Sequence, residues 1–285
     1  MRFVRRSNTR LSSGAAVSEA RKLPKKTDKY GITMIKIPAG SFMMGDNSCK
    51  QVRAMCADPF DKSNKIPCAD GSKEEKCTGQ SHERPAHKVT LSSFWMAQTE
   101  VTQKQYYKVM GSNPSEYTSD KLGYRSENNP VEKVTWSEAK RFCEKIGYRL
   151  PTEAEFEYAQ RAGTTGDHYG SLNRIAWYYK NSNNQTHPVA KKSPNSFGLY
   201  DMTGNVFEWV NDWYGKDYYK VSPGNNPKGP SSGSYSRVLR GGSFFSSSRL
   251  DYSRESPQGH DLRASGRYSN DPGSRNYCFG FRCAQ

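Results

Sequence analysis

Threonine caps mark the start of three segments whose apolar residues recur at helical spacing. Thr102, Thr135 and Thr152 each stand three residues before a Gln or Glu. In that pattern the Thr hydroxyl and the later side chain each bind a free backbone N–H of the first helical turn. The glycines that end these segments are Gly111, Gly147 and, after Arg161, Gly163. We therefore predict three helices in the middle of the chain.

Short extended segments flank this helical middle. Residues 33–45 predict a strand, a turn and a short strand, and alternating apolar residues between Val89 and Met96 predict another extended piece. After residue 164, short segments alternate with turn residues and rings are dense, as at Trp177, Tyr178 and Tyr179. Helices followed by a loop-rich β region indicate an α+β domain.

Composition supports a folded but loop-rich protein. Of 285 residues, 34% are hydrophobic and 12% aromatic. That much ring area excludes a chain that is disordered throughout, while the low aliphatic share predicts little regular structure. No apolar run approaches the ~18 residues of a membrane span.

Positive charge is concentrated at the start of the chain. The net charge is +15, and residues 1–30 hold nine basic residues against Glu19 and Asp28. We expect residues 1–32 to be a flexible leader and residues 33–285 to form the domain. A nucleic-acid arm, a transit peptide and a membrane-surface segment are alternatives, but a solvated leader is favoured. The leader has no apolar core, so we expect no signal peptide; a mature exported protein has the same appearance.

Four of the seven cysteines lie in a polar insertion at residues 46–81. No CxxC pair occurs, which disfavours a zinc ribbon. Four cysteines in a short insertion without a core predict two disulfides and an oxidising compartment, with free cytosolic thiols as the alternative. The sequence leaves open how Cys49, Cys56, Cys68 and Cys77 pair.

Seven segments together resemble the formylglycine-generating enzyme (sulfatase-modifying factor) family. They are IPAGSFMMG at 37–45, EVTQKQY at 100–106, PVEKVTWSEA at 130–139, RLPTEAEFEYA at 149–159, FGLYDMTGNVFEW at 197–209, RVLRGGS at 237–243 and GFRC at 280–283. The resemblance runs in the family's order from residue 33 to the end. It implies a C-type-lectin-like fold, and it implies a disulfide between Cys143 and Cys283.

The resemblance also implies a chemistry that this sequence lacks the residues to perform. Enzymes of the family oxidise a substrate cysteine with two cysteines and copper, a few residues after the GGS motif. Here those positions fall on Ser246 and Asp251. A hydroxyl and a carboxylate are hard ligands, whereas Cu(I) prefers sulfur. We expect no catalytic residues and no cofactor.

Calcium is a second family feature, in the region of Asn205 and Glu208. Their side-chain oxygens would suit calcium, but two donors do not make a six-ligand site. A structural turn is favoured, and we expect no metal site. The five histidines show no ligand spacing.

The C-terminal region also resembles the variable proteins of diversity-generating retroelements. The fixed frame consists of RGGSF, LRASxR, DPxxR and GFR. In that class, a retroelement rewrites the codons between the fixed motifs, so residues 237–282 form the expected variable region. The expected ligand-binding residues are Phe245, Ser246, Ser247, Ser248, Leu250, Asp251, Tyr252, Gly266, Tyr268, Ser269, Asn270, Ser274, Asn276, Tyr277 and Cys278.

Tyr, Ser, Gly, Asn and Arg are also the residues of adaptable binding loops. In this interpretation Arg240, Arg263, Arg267 and Arg282 anchor the scaffold, and the residues between them face outward. The sequence thus predicts a non-catalytic variable protein that binds an unknown protein or surface ligand. We expect it to be exported to the cell surface as an outer-membrane lipoprotein, with any lipid anchor outside this chain.

Two alternatives remain. A formylglycine-type copper oxidase is disfavoured by the missing cysteines. A nucleic-acid binder is disfavoured because four acids interrupt the C-terminal arginines: Asp251, Glu255, Asp261 and Asp271.

Overall fold

Few and short regular elements build the fold in the computed structural model, which describes residues 23–53, 55–57, 65–67, 72–77, 79–231, 235–247 and 262–285. The helices are α1 (Gln103–Met110), α2 (Ser119–Leu122), α3 (Trp136–Lys145), α4 (Glu153–Arg161) and α5 (Leu172–Ile175). The strands are β1 (Lys25–Thr27), β2 (Thr33–Ile37), β3 (Gly40–Met44), β4 (Cys49–Arg53), β5 (Met55–Ala57), β6 (Lys65–Pro67), β7 (Lys73–Cys77), β8 (His87–Leu91), β9 (Phe94–Ala97), β10 (Phe207–Trp213), β11 (Arg237–Arg240), β12 (Tyr268–Asn270) and β13 (Phe279–Gly280). The predicted α+β class with little regular structure is confirmed.

The three predicted helices are α1, α3 and α4, and their caps form as expected. Thr102, Thr135 and Thr152 each accept a hydrogen bond from the backbone N–H three residues on, and the Gln or Glu there binds back to the Thr N–H. Helix α4 ends at Arg161, and the left-handed residue that caps it is Ala162, with φ 44°, one residue before the predicted Gly163. The short helices α2 and α5 carry no side-chain cap bond, which is why no cap motif predicted them.

The sheets place the C-terminal region at the centre of the fold. One sheet has the order β12–β11–β10–β13, and a second has β1–β2–β9. Strands β3 and β8 form a separate antiparallel pair. The C-terminal segment runs beside β9, where Ala97 N–H donates to the Cys283 carbonyl at 2.8 Å. The expected variable region is therefore connected to the rest of the fold on both of its sides.

Residues before the predicted boundary at residue 33 also take part in the fold. Lys25–Thr27 pairs antiparallel with Thr33–Ile35. The turn between them is fixed by Asp28, whose carboxylate accepts the N–H groups of Tyr30 and Ile32. The segment from residue 23 thus belongs to the domain, because this local turn folds it back onto β2. Residues 1–22 of the expected leader lie outside the described residues.

The insertion at 46–81 contains two antiparallel pairs, β4 with β7 and β5 with β6. Cys49 takes part in a disulfide, and the register sets it opposite Cys77. The complete pairing of the four cysteines stays a prediction.

The largest buried cluster surrounds a disulfide. Cys143 of α3 is joined to Cys283 across a sequence separation of 140 residues, as the resemblance implied. Phe142, Trp209 and Phe281 are fully buried in the same cluster. This cross-link ties helix α3 to the C-terminal segment.

Candidate functional site

Two buried arginines fix the strand that leads into the predicted variable region. Arg240 Nη2 binds Glu157 Oε2 at 2.5 Å, and Arg267 binds both oxygens of Glu153 at 2.7 and 2.9 Å. Burial alone would raise the pKa of Glu153, but Arg267 and Arg240 outweigh it and lower the pKa. The carboxylate therefore stays charged and connects α4 to Arg240 of β11 and to Arg267, the residue before β12.

Two further arginines connect the C-terminal segment to distant parts of the chain. Arg263 binds both oxygens of Glu83 and, at 3.1 Å, Asp46. Arg282 binds both oxygens of Glu208 at 2.7 Å. Both guanidinium groups are buried. The predicted anchoring role of the four arginines agrees with these contacts.

The turn after the GGS motif turns two expected contact residues inward. Ser246 is fully buried: its hydroxyl accepts the Ser243 N–H at 3.1 Å, and its carbonyl accepts the Tyr179 N–H at 3.0 Å. Ser247 is only 3% exposed. The assignment of Ser246 and Ser247 to the ligand surface is therefore wrong, because the turn uses the first side chain as an internal acceptor and packs the second. The neighbouring Phe245 is half-buried and reaches the surface.

Ser246, which stands where the resemblance places the family's first active-site cysteine, does not fit copper. Ser246 offers a buried hydroxyl already engaged with the backbone, and Cu(I) prefers thiolate or thioether ligands. The thiol of Cys278 donates to Asn276 Oδ1 at 3.1 Å. Asp251 and the expected contact residues Ser248, Leu250 and Tyr252 lie outside the described residues. We therefore derive no copper chemistry for this site.

Asn205 and Glu208 stabilise the turn near β10. Asn205 Oδ1 accepts the His187 N–H at 3.0 Å, and its amide donates to Glu100 Oε2 at 2.8 Å. Both Glu208 oxygens face Arg282. Within the described residues, no group of three or more His, Cys, Asp and Glu side chains is arranged to hold a metal. In the structure both side chains are therefore engaged by protein groups.

The segment after Arg263 begins inside the protein. Gly266 is buried, its carbonyl accepts from Arg240, and its N–H donates to the Arg263 carbonyl at 2.9 Å. Gly266 is thus a second correction to the expected contact residues, because both of its backbone groups bind the scaffold. Tyr268 is half-buried, with its ring 5.1 Å from that of Phe207.

The rest of the segment emerges at the surface. Ser269, Asn270, Ser274, Asn276 and Cys278 are half-buried, and Tyr277 is 41% exposed. Local hydrogen bonds hold the turn, since Asn270 Oδ1 accepts from Ser274 Oγ at 2.9 Å and Asn276 Oδ1 accepts the Cys278 N–H at 3.1 Å. Residues 269–278 of the expected variable region are therefore accessible on a backbone held by local hydrogen bonds.

Four accessible rings, with the buried ring of Phe244 beneath them, bring the two accessible parts together in a patch that we call the aromatic surface: Tyr117, Tyr179, Phe245 and Tyr277. Tyr117 packs edge-on against Phe244 at 5.3 Å and lies 6.3 Å from Tyr277, while Tyr179 lies 6.2 Å from Phe245. Tyr179, like Tyr277, is 41% exposed. Rings with one accessible face are favoured anchors in binding sites.

Sequence reasoning missed Tyr117 and Tyr179 as members of this surface. They lie outside the C-terminal region, and no motif connects them to it. The dense rings at 177–179 were the one available signal, but only the tertiary fold shows that Tyr179 adjoins Phe245.

Two open cavities lie elsewhere. One of about 480 Å³ is lined by α1 residues, including Tyr107, and by the following loop. Another of about 560 Å³ lies between Phe94, Arg149 and Asn226. None of the expected contact residues lines either cavity. Among the described residues, no helix is long and apolar enough to cross a membrane.

Comparison with known proteins gives matches along most of the chain. The model of the sulfatase-modifying factor enzyme 1-like domain matches residues 19–285. The solved structure of Treponema denticola variable protein 1 is 29% identical with a TM-score of 0.70, over 91% of this chain and 98% of that one.

Two curated relatives carry enzyme names. Serine/threonine-protein kinase pkn1 of Chlamydia pneumoniae is 37% identical over 73% of this chain and 35% of its own length. The formylglycine-generating enzyme of Streptomyces coelicolor is 36% identical over 55% of this chain and 52% of its own. The chain thus spans about a third of the length of the Chlamydia relatives that it matches.

The family assignment rests on two observations that agree. The motifs stand in the family's order along the chain, and the family model matches residues 19–285. The chain belongs to the sulfatase-modifying factor (formylglycine-generating enzyme) family, and its fold is similar to that of Treponema denticola variable protein 1.

Proposed function

We propose that this domain is a non-catalytic variable protein that binds a protein or surface ligand through the aromatic surface and residues 269–278. The single observation that carries the proposal is the division of the C-terminal region. Four of its arginines (Arg240, Arg263, Arg267 and Arg282), Ser246 and Gly266 are buried in scaffold contacts, whereas Tyr277 and its neighbours are accessible on a turn held by local hydrogen bonds.

Such a division lets residues change without loss of the fold. Exposed substitutions usually alter stability by less than about 0.5 kcal/mol. Tyr supplies contact area at low entropic cost, and Ser and Asn supply adaptable hydrogen bonds. A retroelement that rewrites only the codons of accessible residues would then produce many binding surfaces on one scaffold.

Display at the cell surface is the second part of the proposal. The Cys143–Cys283 disulfide and the disulfide at Cys49 are typical of an oxidising compartment. Attachment through a lipid anchor outside this chain would place the aromatic surface toward its ligand.

Two libraries test the binding site. The surface library randomises Ser269, Asn270, Ser274, Asn276 and Tyr277. The buried library randomises fewer positions, Ser246, Ser247 and Gly266. Both are displayed, sorted for protease resistance and selected against lysozyme as a model target. We expect the surface library to stay folded and to yield binders, and the buried library to lose most folded members. A surface library that unfolds as often, or that yields no binder, would overturn the proposal.

Gene sequences from several isolates test diversification. We expect differences at accessible positions between 269 and 278, and only small residues at Ser246, Ser247 and Gly266. Substitutions spread evenly along the chain would contradict a retroelement origin.

A copper-dependent cysteine oxidase is the alternative function, because formylglycine-generating enzymes are among the relatives. Its test is incubation of the copper-loaded protein with a cysteine peptide under oxygen. We expect no formylglycine product, since Ser246 supplies a hydroxyl where the resemblance places a thiol. Product formation by the unchanged chain would sink the binding proposal.

A further inference from the structure

Glu132 is a buried carboxyl directly behind the aromatic surface. Its side chain is 0% exposed. Glu132 Oε1 accepts the backbone N–H of Tyr117 at 2.8 Å, and the Glu132 N–H donates to Ser115 Oγ at 3.2 Å. The second oxygen, Oε2, is buried and has no hydrogen-bond partner among the described residues. One carboxyl oxygen therefore holds Tyr117 while the other is unsatisfied.

The strand-like segment around Glu132 also contacts the variable frame. Lys133 N–H donates to the Asn276 carbonyl at 3.0 Å, and Arg275 donates to the Lys133 carbonyl at 3.0 Å. On the other side, the Val131 carbonyl lies 2.6 Å from the position that a Cβ on Gly280 would take. Glu132 is thus held between the loop that carries Tyr117 and the segment that carries Tyr277.

The ionisation of this carboxyl falls within the physiological range. Burial raises the pKa of Glu132 to about 7, against the lowering effect of the backbone N–H groups at Tyr117 and Glu116. The Glu116 carboxylate raises the pKa further and the Lys133 ammonium lowers it. Glu116 is itself paired with Lys121 and Lys133.

Other titratable groups lie on the neighbouring elements. Tyr117 interacts electrostatically with Tyr277 and Cys278, as well as with Glu132, and Arg275 is paired with Glu138 at 2.6 Å. Arg275 and Glu138 keep each other's charge compensated. Above neutral pH a carboxylate at Glu132 would therefore have a buried oxygen without a donor, which is costly.

We propose that Glu132 positions Tyr117 in the aromatic surface and makes the arrangement of that surface depend on pH. With the carboxyl neutral, the Tyr117 loop packs on residues 275–280 as in the structure. With the carboxyl ionised, the loop moves so that water reaches Oε2, and the contact between Tyr117 and Tyr277 loosens. The inference rests on the proposed function only in that this surface is the binding surface.

The test uses the whole protein, labelled with ¹⁵N-tyrosine, and no ligand. Amide signals of Tyr117 and Tyr277 are followed from pH 5.5 to 8.5. In the unchanged protein we expect both to titrate with a midpoint of about 7. In Glu132→Gln the amide oxygen still accepts from Tyr117 but cannot ionise, so both signals should keep their low-pH positions throughout.

Glu144→Gln is the matched control, because Glu144 is an exposed acid on α3 paired with Lys140 at 2.9 Å. It should titrate like the unchanged protein. Tyr117 signals that do not move in the unchanged protein, or that titrate equally in Glu132→Gln, would overturn the inference. If Glu132→Gln fails to fold, the titration of the Tyr117 and Tyr277 signals in the unchanged protein decides whether the inference stands. Since no ligand is present, this result is independent of whether the library selection succeeds.

Discussion

The buried arginines offer the sharpest test of the division between scaffold and surface. Arg240 is fully buried and binds Glu157 at 2.5 Å, and it also donates to the carbonyls of Ala264 and Gly266. Arg240→Met preserves most of the side-chain volume and removes the charge. Glu157 then loses one of its two arginine partners, the other being Arg161, and two buried carbonyls lose a donor.

The stability that Arg240→Met should lose depends on the burial of the ion pair rather than on the number of contacts removed. Removing one partner of a buried ion pair costs about 3–5 kcal/mol, because the charge that stays buried loses compensation. A domain is stable by only about 5–15 kcal/mol. Arg240→Met should therefore lose a large fraction of the total stability and loosen the segment from 264 to 266.

Arg275→Met is the matched control. Arg275 also forms a two-pronged pair, with Glu138 at 2.6 and 2.7 Å, but its side chain is 47% exposed. Solvent screens such a pair, so its loss should cost at most about 1 kcal/mol. The two variants make the same chemical change in a paired arginine and differ in burial.

Urea unfolding, followed by tryptophan fluorescence and extrapolated linearly to water, measures both losses. We expect the loss in free energy of unfolding to be greater in Arg240→Met than in Arg275→Met by at least about 2 kcal/mol. Equal losses would refute the claim that the buried Arg240 stabilises the fold more than the exposed Arg275 does.

Three further outcomes are expected. Replacing Cys143 and Cys283 together by Ala should cost about 5 kcal/mol in urea unfolding, because the 140-residue separation closes a long loop in the unfolded chain; a loss below about 1 kcal/mol would contradict this. Burial is the largest cause that lowers the pKa of His82 to about 4, and the Arg267 guanidinium is the second. NMR should therefore show the His82 ring titrating with a midpoint of about 4. The unfolded ring binds its proton more readily, so His82 should reduce stability as pH falls from 6.5 toward 4; a ring midpoint near 6.5 would refute it. Tyr268→Ala should cost about 2 kcal/mol or more and Tyr277→Ala less than about 1 kcal/mol, since only the first ring packs on Phe207 and Phe279; differential scanning calorimetry showing the reverse order would contradict this.

Local chemistry was enough to predict the elements that depend on neighbouring residues. The three Thr caps require only a side chain three residues away, and all three form. The family resemblance supplied the fold and the Cys143–Cys283 disulfide, because both follow from motifs kept in order. The turn at Asp28 is equally local, and its omission placed the domain boundary too late.

The tertiary structure decided which residues of the expected variable region are exposed. Ser246 and Tyr277 belong to the same compositional alphabet, yet Ser246 is fully buried and Tyr277 is 41% exposed. Burial depends on which distant groups meet: the backbone of Tyr179 covers Ser246, and Tyr117 adjoins Tyr277. Sequence by itself determined the scaffold and the types of contact residues. Only long-range packing decided their orientation, because the partners that bury or expose a side chain lie far away along the chain.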